Sequence, residues 1–289
     1  MRSYLYVPAD DEQRLGKASS RGADAIVADL EDSVAPSRKG LANDNAARWL
    51  AESGTGGAER WVRVNQGELG LADIAAIFDE GLTGICLPKV SGADEVRRAS
   101  ELLDTLERRN HIPASTTLLM PLIESATGLQ ALSDIAGAPR VHKLQIGELD
   151  LAADLGVEPG EDEAELAALR SSVVVASVAS GLLPPVGAVS PEFRDLDLLA
   201  ISTRRLKRAG FVGRMAIHPA QLDIIHRCFA VSAAEVTAAR ELVERYDKAM
   251  AGGSGVILGE DGRMVDEAVV RRSRRIIGLA TTTQRGETQ

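Results

Sequence analysis

Thr116-Thr117-Leu118-Leu119-Met120-Pro121-Leu122-Ile123-Glu124 runs apolar from Leu118 to Ile123 and then ends on a carboxylate. Such a run reads as a strand buried on both faces, the kind found in parallel sheets covered by helices. The same form recurs along the chain. Strand candidates are Ser3–Pro8, Asp24–Glu31, Arg60–Asn65, Gly84–Lys89, Thr116–Glu124, Lys143–Gly147, Pro185–Ser190 and Arg214–His218. Helix-like stretches such as Ala93–Arg109, Glu163–Ser180 and Leu196–Ala209 separate them. Eight strands alternating with helices predict an α/β fold whose parallel sheet closes into a TIM-type (β/α)₈ barrel. A doubly wound open sheet is the alternative, weakened by the lack of GxGxxG after the first strand. The 289 residues suit one barrel, which needs roughly 250, plus an extension.

Beyond the eighth strand the pattern changes. Ser232–Met250 reads as a long helix, then a glycine-rich break, Gly252-Gly253-Ser254-Gly255, leads to the apolar Val256–Leu258. A turn at Glu260-Asp261-Gly262, a final helix from about Asp266 to Ala280 and a frayed polar tail complete the expectation. The chain should therefore divide into a barrel over 1–231 and a C-terminal helical extension over 232–289, acting as a lid or as an arm reaching a neighbouring subunit.

Composition narrows the partners. A net charge of −9 and a pI near 5.1 argue against nucleic acid or an anionic membrane. Cys86 and Cys228 form neither a metal-ligand spacing nor a disulfide framework, and Cys86 in an apolar strand should be a buried, inert thiol. No apolar run approaches the ~18 residues of a membrane span, and Met1 to Val7 carry no signal-peptide core, so a cytoplasmic location is expected.

Many strands stay apolar until their last residues and then end in polar groups: Asp29, Glu31 and Asp32 on the second, Arg63 and Asn65 on the third, Lys89 on the fourth, Glu124 on the fifth, His218 on the eighth. In a (β/α)₈ barrel these ends converge on the face that carries chemistry. Alternation in Trp61-Val62-Arg63-Val64-Asn65 turns Arg63 and Asn65 towards the barrel axis. A guanidinium there needs an anion: an internal carboxylate such as Glu31, or a substrate carboxylate or enolate. Lys89 could bind an anion or pair with Asp29 or Glu31. His218, before Pro219, suits a structural hydrogen bond better than a general base. One βα unit after Glu124, Asp150 follows the sixth strand in Ile146-Gly147-Glu148-Leu149-Asp150-Leu151. Two carboxylates with waters and substrate oxygens form the environment Mg²⁺ prefers, and the scarcity of His and Cys on this face disfavours zinc.

These motifs, together with Arg2-Ser3-Tyr4-Leu5-Tyr6-Val7-Pro8, Asp29-Leu30-Glu31-Asp32-Ser33-Val34, Leu87-Pro88-Lys89-Val90, Asp150-Leu151-Ala152-Ala153-Asp154-Leu155-Gly156, Ile217-His218-Pro219-Ala220-Gln221 and Asp261-Gly262-Arg263-Met264-Val265-Asp266, occur in order along the chain. In this the chain resembles the citrate lyase β-subunit-like group of the HpcH/HpaI aldolase–citrate lyase superfamily. Two positions depart from the pattern: Ala9 stands where a glycine commonly follows Val-Pro, and Pro185–Val189 lacks an Asp-Gly usual near the seventh strand.

The resemblance implies a TIM barrel that forms homotrimers or hexamers, with Mg²⁺ on Glu124 and Asp150 and a substrate-binding Arg63. It further implies Asp266 as an acid/base residue supplied by the adjacent subunit, and Arg14 and Lys17 near the CoA portion. Asp29, Glu31 and Lys89 complete the expected substrate site. The expected activity is cleavage or formation of a β-hydroxyacyl-CoA, such as malyl-, citramalyl- or citryl-CoA, into an oxoacid and a short-chain acyl-CoA through an enolate. The alternatives are a CoA-independent pyruvate-type aldolase, an acyl-CoA thioesterase, and a complex-dependent subunit acting with an acyl carrier protein.

Overall fold

The computed structural model describes residues 1–52, 57–253, 255–259 and 262–286. Eight strands, β1 (Ser3–Pro8), β2 (Ala25–Asp29), β3 (Glu59–Arg63), β4 (Gly84–Leu87), β5 (Leu118–Ile123), β6 (Gln145–Ile146), β7 (Val186–Gly187) and β8 (Gly213–Ala216), pair in parallel and close into a barrel. The (β/α)₈ expectation holds: β1 pairs with β2 on one side and with β8 on the other. Helices α1 (Glu12–Gly16), α2 (Lys39–Ala51), α3 (Gly67–Ile77), α4 (Ala93–Arg109), α5 (Ala126–Gln130), α6 (Leu132–Ala136), α7 (Glu148–Leu155), α8 (Ala167–Ala179), α9 (Leu196–Ala209) and α10 (Leu222–Phe229) follow the strands. Two compact units result, Met1–Phe229 and Ala230–Gln289.

Period-two alternation sorts the strand side chains into two cores. Tyr4, Val27, Trp61, Cys86, Met120 and Met215 fill the barrel lumen. Leu5, Ile26, Val62, Ile85, Leu119 and Ile123 face outward under the helices. Trp61 is fully buried, and it fits because residue 84 is glycine: a Cβ there would lie 2.4 Å from the indole ring. Burial raises the Cys86 thiol pKa, consistent with an inert core residue.

The sixth and seventh strands are shorter than expected. β7 stops at Gly187 rather than Ser190, because the carbonyls beyond it turn to side chains. Arg214 Nε donates to the Ala188 carbonyl at 3.0 Å, and Gln221 Nε2 to the Ser190 carbonyl at 3.0 Å.

In the second unit, α11 (Ala233–Ala251) starts on a capping box in which Ser232 and Glu235 satisfy each other's backbone amides. An antiparallel pair, β9 (Ile257–Leu258) and β10 (Met264–Val265), leads into α12 (Glu267–Gly286). Tyr246, Val265 and Val270 form its core. Ser254 of the glycine-rich break, Glu260 and Asp261 of the expected turn, and the last three residues of the expected tail lie outside the described residues. α12 runs on to Gly286, so the fraying expected from Thr281 is not seen over 281–286. No helix among the described residues is long and apolar enough to cross a membrane.

One ion pair anchors the end of α4. The Glu107 carboxylate, 1% exposed, receives the Arg140 guanidinium at 2.5 and 2.8 Å and the amides of Ser115 and Thr117, both at 2.9 Å. Burial opposes its charge, but the guanidinium and the two amides prevail and hold the carboxyl below its usual range. A depressed carboxyl contributes stability above the unfolded value of ~4.3 and loses it as pH falls through the folded value. We expect Glu107→Gln to cost ~3–5 kcal/mol in urea unfolding at neutral pH and to flatten the acid limb of the stability profile. An unchanged acid limb would contradict this role.

Candidate active site

The register of β2 against β3 pairs Asp29 with Arg63, the last residue of each strand. Their side chains meet as a fork: Arg63 Nε reaches Asp29 Oδ1 and Nη2 reaches Oδ2, both at 2.7 Å. The remaining nitrogen, Nη1, lies 3.0 Å from Glu31 Oε2 and 3.5 Å from Asp32. The guanidinium also sits 4.7 Å from the Tyr6 ring centroid, on β1. Asp29 is 1% exposed; burial works against its charge, and Arg63 with Ser33 and the Glu31 amide holds its carboxyl below the usual range. Arg63 thus takes the internal-carboxylate partners that the sequence left open beside a substrate anion.

Asn65 corrects the alternation argument. β3 ends at Arg63, and the Asn65 amide and carboxamide both donate to Asp73 on α3, at 2.9 and 2.7 Å. Arg63 turns inward alone.

Lys89 joins this cluster to β5. It stands just past β4 with φ +49°, a left-handed conformation uncommon outside glycine. Its backbone N–H donates to Glu124 Oε1 at 2.8 Å, while Nζ reaches Glu31 at 2.9 Å and Asp32 at 3.3 Å. One residue thereby contacts carboxylates from both sides of the mouth.

Glu124 follows the apolar β5 and is 4% exposed. Burial, then repulsion from Asp150 and Glu31, pushes its carboxyl up to about 8 against the opposing Lys89 amide. Gly147 makes the room: a Cβ there would lie 2.7 Å from Glu124 Oε2. Asp150 is exposed on the first turn of α7. Glu148, two residues earlier, faces away and is forked by Arg170 at 2.6 and 2.8 Å.

Asp29, Glu31, Asp32 and Glu124 past the strand ends, with Asp150 on the first turn of α7, set five carboxylates against two cations, Arg63 and Lys89. The donor chemistry fits a hard divalent cation. Burial, and then the neighbouring Asp150 and Glu31 carboxylates, disfavour a bare charge on Glu124, and Gly147 leaves it a cradle. Among the described residues no three His, Cys, Asp or Glu side chains converge as a closed set. Mg²⁺ is commonly held by one or two carboxylates, with water and substrate filling the remaining positions.

Arg14 and Lys17 lie exposed after β1, with Arg14 paired to Asp11 at 3.0 Å. Asp266 belongs to the second unit, where its Oδ1 accepts from the Ala268 and Val269 amides at the start of α12. His218 Nδ1 accepts from the Ala220 amide at 3.1 Å, a structural use as expected. Tyr6 and Arg170 were missed. Tyr6 shares the inward parity of Tyr4, a usable signal; Arg170 sits mid-helix with none.

The model of the HpcH/HpaI aldolase/citrate lyase family matches residues 2–219. A (3S)-malyl-CoA thioesterase of Cereibacter sphaeroides is 32% identical over 281 residues, spanning 96% of this chain and 94% of the relative. The mitochondrial citramalyl-CoA lyase of Mus musculus is 29% identical, spanning 97% of this chain and 86% of the relative. Among solved structures, CitE of Mycobacterium tuberculosis in complex with magnesium, acetoacetate and coenzyme A superposes with a TM-score of 0.75 at 27% identity, covering 96% of this chain and 98% of that one.

The ion pairs differ in weight. Removing the guanidinium with Arg63→Ala strands two buried carboxylates, so we expect a stability loss of ~3–5 kcal/mol. Lys89→Ala, whose side chain is 33% exposed, should cost at most ~1 kcal/mol. Chemical denaturation separates the two, and equal losses would show that Arg63 does not carry the cluster.

Proposed function

The chain belongs to the HpcH/HpaI aldolase/citrate lyase family, and from that premise we propose that it is a Mg²⁺-dependent carbon–carbon lyase. Its substrate is a β-hydroxyacyl-CoA bearing a carboxylate, of the malyl, citramalyl or citryl kind. The products are an oxoacid and a short-chain acyl-CoA. The observation that carries this reading is the buried Glu124 carboxyl beside Asp150, cradled by Gly147 and tied through the Lys89 amide to the Arg63 cluster.

Glu124 and Asp150 would hold Mg²⁺, which supplies a template and a Lewis acid for carboxylate and hydroxyl oxygens. The protein's own groups do the rest. Asp29 holds the Arg63 fork in one orientation, leaving Nη1 as the donor that can exchange Glu31 for a developing enolate oxygen. Glu31 Oε2 is buried and faces Arg63 Nη1 at 3.0 Å without a formed hydrogen bond, so it can accept one from the substrate hydroxyl once Nη1 turns to the enolate oxygen. Lys89 holds Glu31 in place. Transfer of the hydroxyl proton to Glu31 lets the carbon–carbon bond break, with the electron pair passing to the thioester fragment as an enolate. Asp266, supplied by a neighbouring copy of the chain, protonates the enolate carbon. Arg14 and Lys17 meet the CoA phosphates. This arrangement requires a homo-oligomer, a trimer or hexamer.

A second reading has one observation in its favour. The 32% identity over 96% of the chain is to a (3S)-malyl-CoA thioesterase, an activity named for thioester hydrolysis. In that case CoA thiol accumulates in place of the short-chain acyl-CoA.

With Mg²⁺ at ~100 times its Kd, the chain should gain ~2.7 kcal/mol of unfolding stability. Glu124→Gln and Asp150→Asn should abolish that gain and lower kcat by at least ~10²-fold. Mass analysis of products from malyl-, citramalyl- and citryl-CoA decides the reaction: oxoacid with acyl-CoA supports the lyase, hydroxyacid with free thiol the thioesterase. Mg²⁺ stabilisation that survives both substitutions would refute the metal assignment.

A further inference from the structure

Side chains from β1, β3 and the β6 segment fill the lumen in two storeys. Period-two alternation turns Tyr4 and Tyr6 inward from β1, and Trp61 and Arg63 from β3. Lys143 and Gln145 reach in from the β6 side, which β7 and β8 separate from β1. In the lower storey the Lys143 ammonium meets the Tyr4 hydroxyl and lies 5.6 Å from the Trp61 ring centroid. The upper storey repeats the plan with the cation moved to β3. Gln145 Nε2 donates to the Tyr6 hydroxyl at 3.0 Å, and the Arg63 guanidinium lies 4.7 Å from the Tyr6 ring centroid. Gln145 is 3% exposed, and an amide buried so deeply keeps its partner, because losing it leaves a desolvated polar group unpaired.

The lower storey is buried throughout, whereas the upper one meets the site. Asp29 fixes Nε and Nη2 of Arg63, while Glu31 and Asp32 face Nη1. When Nη1 leaves Glu31 for an enolate oxygen, the Asp29 fork and the Tyr6 face remain as its restraints. A two-point fork lets the guanidinium plane tilt about the line joining its two bonds. A ring against that plane blocks the tilt into the lumen and attracts the cation as well. Burial holds the Tyr6 phenol above its usual pKa, so it stays protonated and offers a ring rather than a base.

We propose that Tyr6, fastened across the lumen by Gln145, is a positioning residue that holds Arg63 Nη1 where the enolate oxygen forms. The inference rests on the lyase reading and deepens it, by assigning how the guanidinium keeps its aim after Glu31 is released.

Steady-state kinetics of the full chain with Mg²⁺ and malyl-, citramalyl- or citryl-CoA test this, alongside NMR of the chain free of metal and substrate. Tyr6→Leu removes the ring and should lower kcat by ~2–30-fold, the range of one cation–π contact, with KM unchanged. Tyr6→Phe keeps the ring and should restore most of that kcat. Its remaining deficit should equal that of Gln145→Leu, and the double variant should lose no more than either, as for two ends of one hydrogen bond. In the NMR spectrum, the ring-current shift of the Arg63 Nε–H should vanish in Tyr6→Leu and persist in Tyr6→Phe. A resonance unmoved by Tyr6→Leu, or a KM that rises at constant kcat, would overturn the positioning role. Additive losses from Tyr6→Phe and Gln145→Leu would overturn the fastening, a comparison that stands even where leucine at position 6 loosens the core. A wild-type chain that yields only hydroxyacid and free thiol would sink the lyase reading and the enolate role with it. An active lyase indifferent to Tyr6→Leu would sink the role of Tyr6 alone.

Discussion

The mouth of this barrel depends on Arg63 staying charged and dry between Asp29 and Glu31. Bringing these ions out of water is costly unless each finds opposite charge with hydrogen-bond geometry. The Asp29 fork satisfies the first half of the guanidinium, and Glu31 neutralises the second. Lys89 shares Glu31, and the Lys89 amide fixes Glu124, so the network runs from the ends of β2 and β3 through Lys89 to the end of β5. The arrangement is organised in advance of any substrate, which is how a site keeps reorganisation out of its reaction barrier.

Much of this was legible because burial leaves a mark in sequence. Apolar strands ending on Asp29, Arg63 and Glu124 are conspicuous, and alternation sent Arg63 inward correctly. Alternation failed at Asn65 because it applies only while the strand lasts, and β3 stops two residues sooner. The ends of β6 and β7 failed for a related reason. Side chains from distant positions, Arg214 and Gln221, capture carbonyls that a local pattern assigns to the ladder. The Arg170 fork on Glu148 spans 22 residues and two helices, and no spacing rule announces it.

The two ends of the barrel divide the labour of charge. At the N-terminal end Lys143 is buried at 4% exposure, donating to the Tyr4 hydroxyl at 2.5 Å and lying over the Tyr4 and Trp61 rings. Its pKa is lowered, chiefly by that burial. Here a cation plugs the lumen and faces aromatics; at the opposite end cations face carboxylates and solvent. The first arrangement closes the core, while the second leaves negative charge in excess at an opening, as ligand recognition requires.

The left-handed turn at Lys89 separates what the backbone and the side chain of one residue contribute. Its amide serves Glu124 whatever the side chain is, provided the φ angle is tolerated. An arginine would bear the same left-handed strain that Lys89 already bears, whereas glycine would relieve it and keep the amide in place. Homologues that have drifted to glycine at this position would keep the carboxylate's anchor and shed only the ammonium.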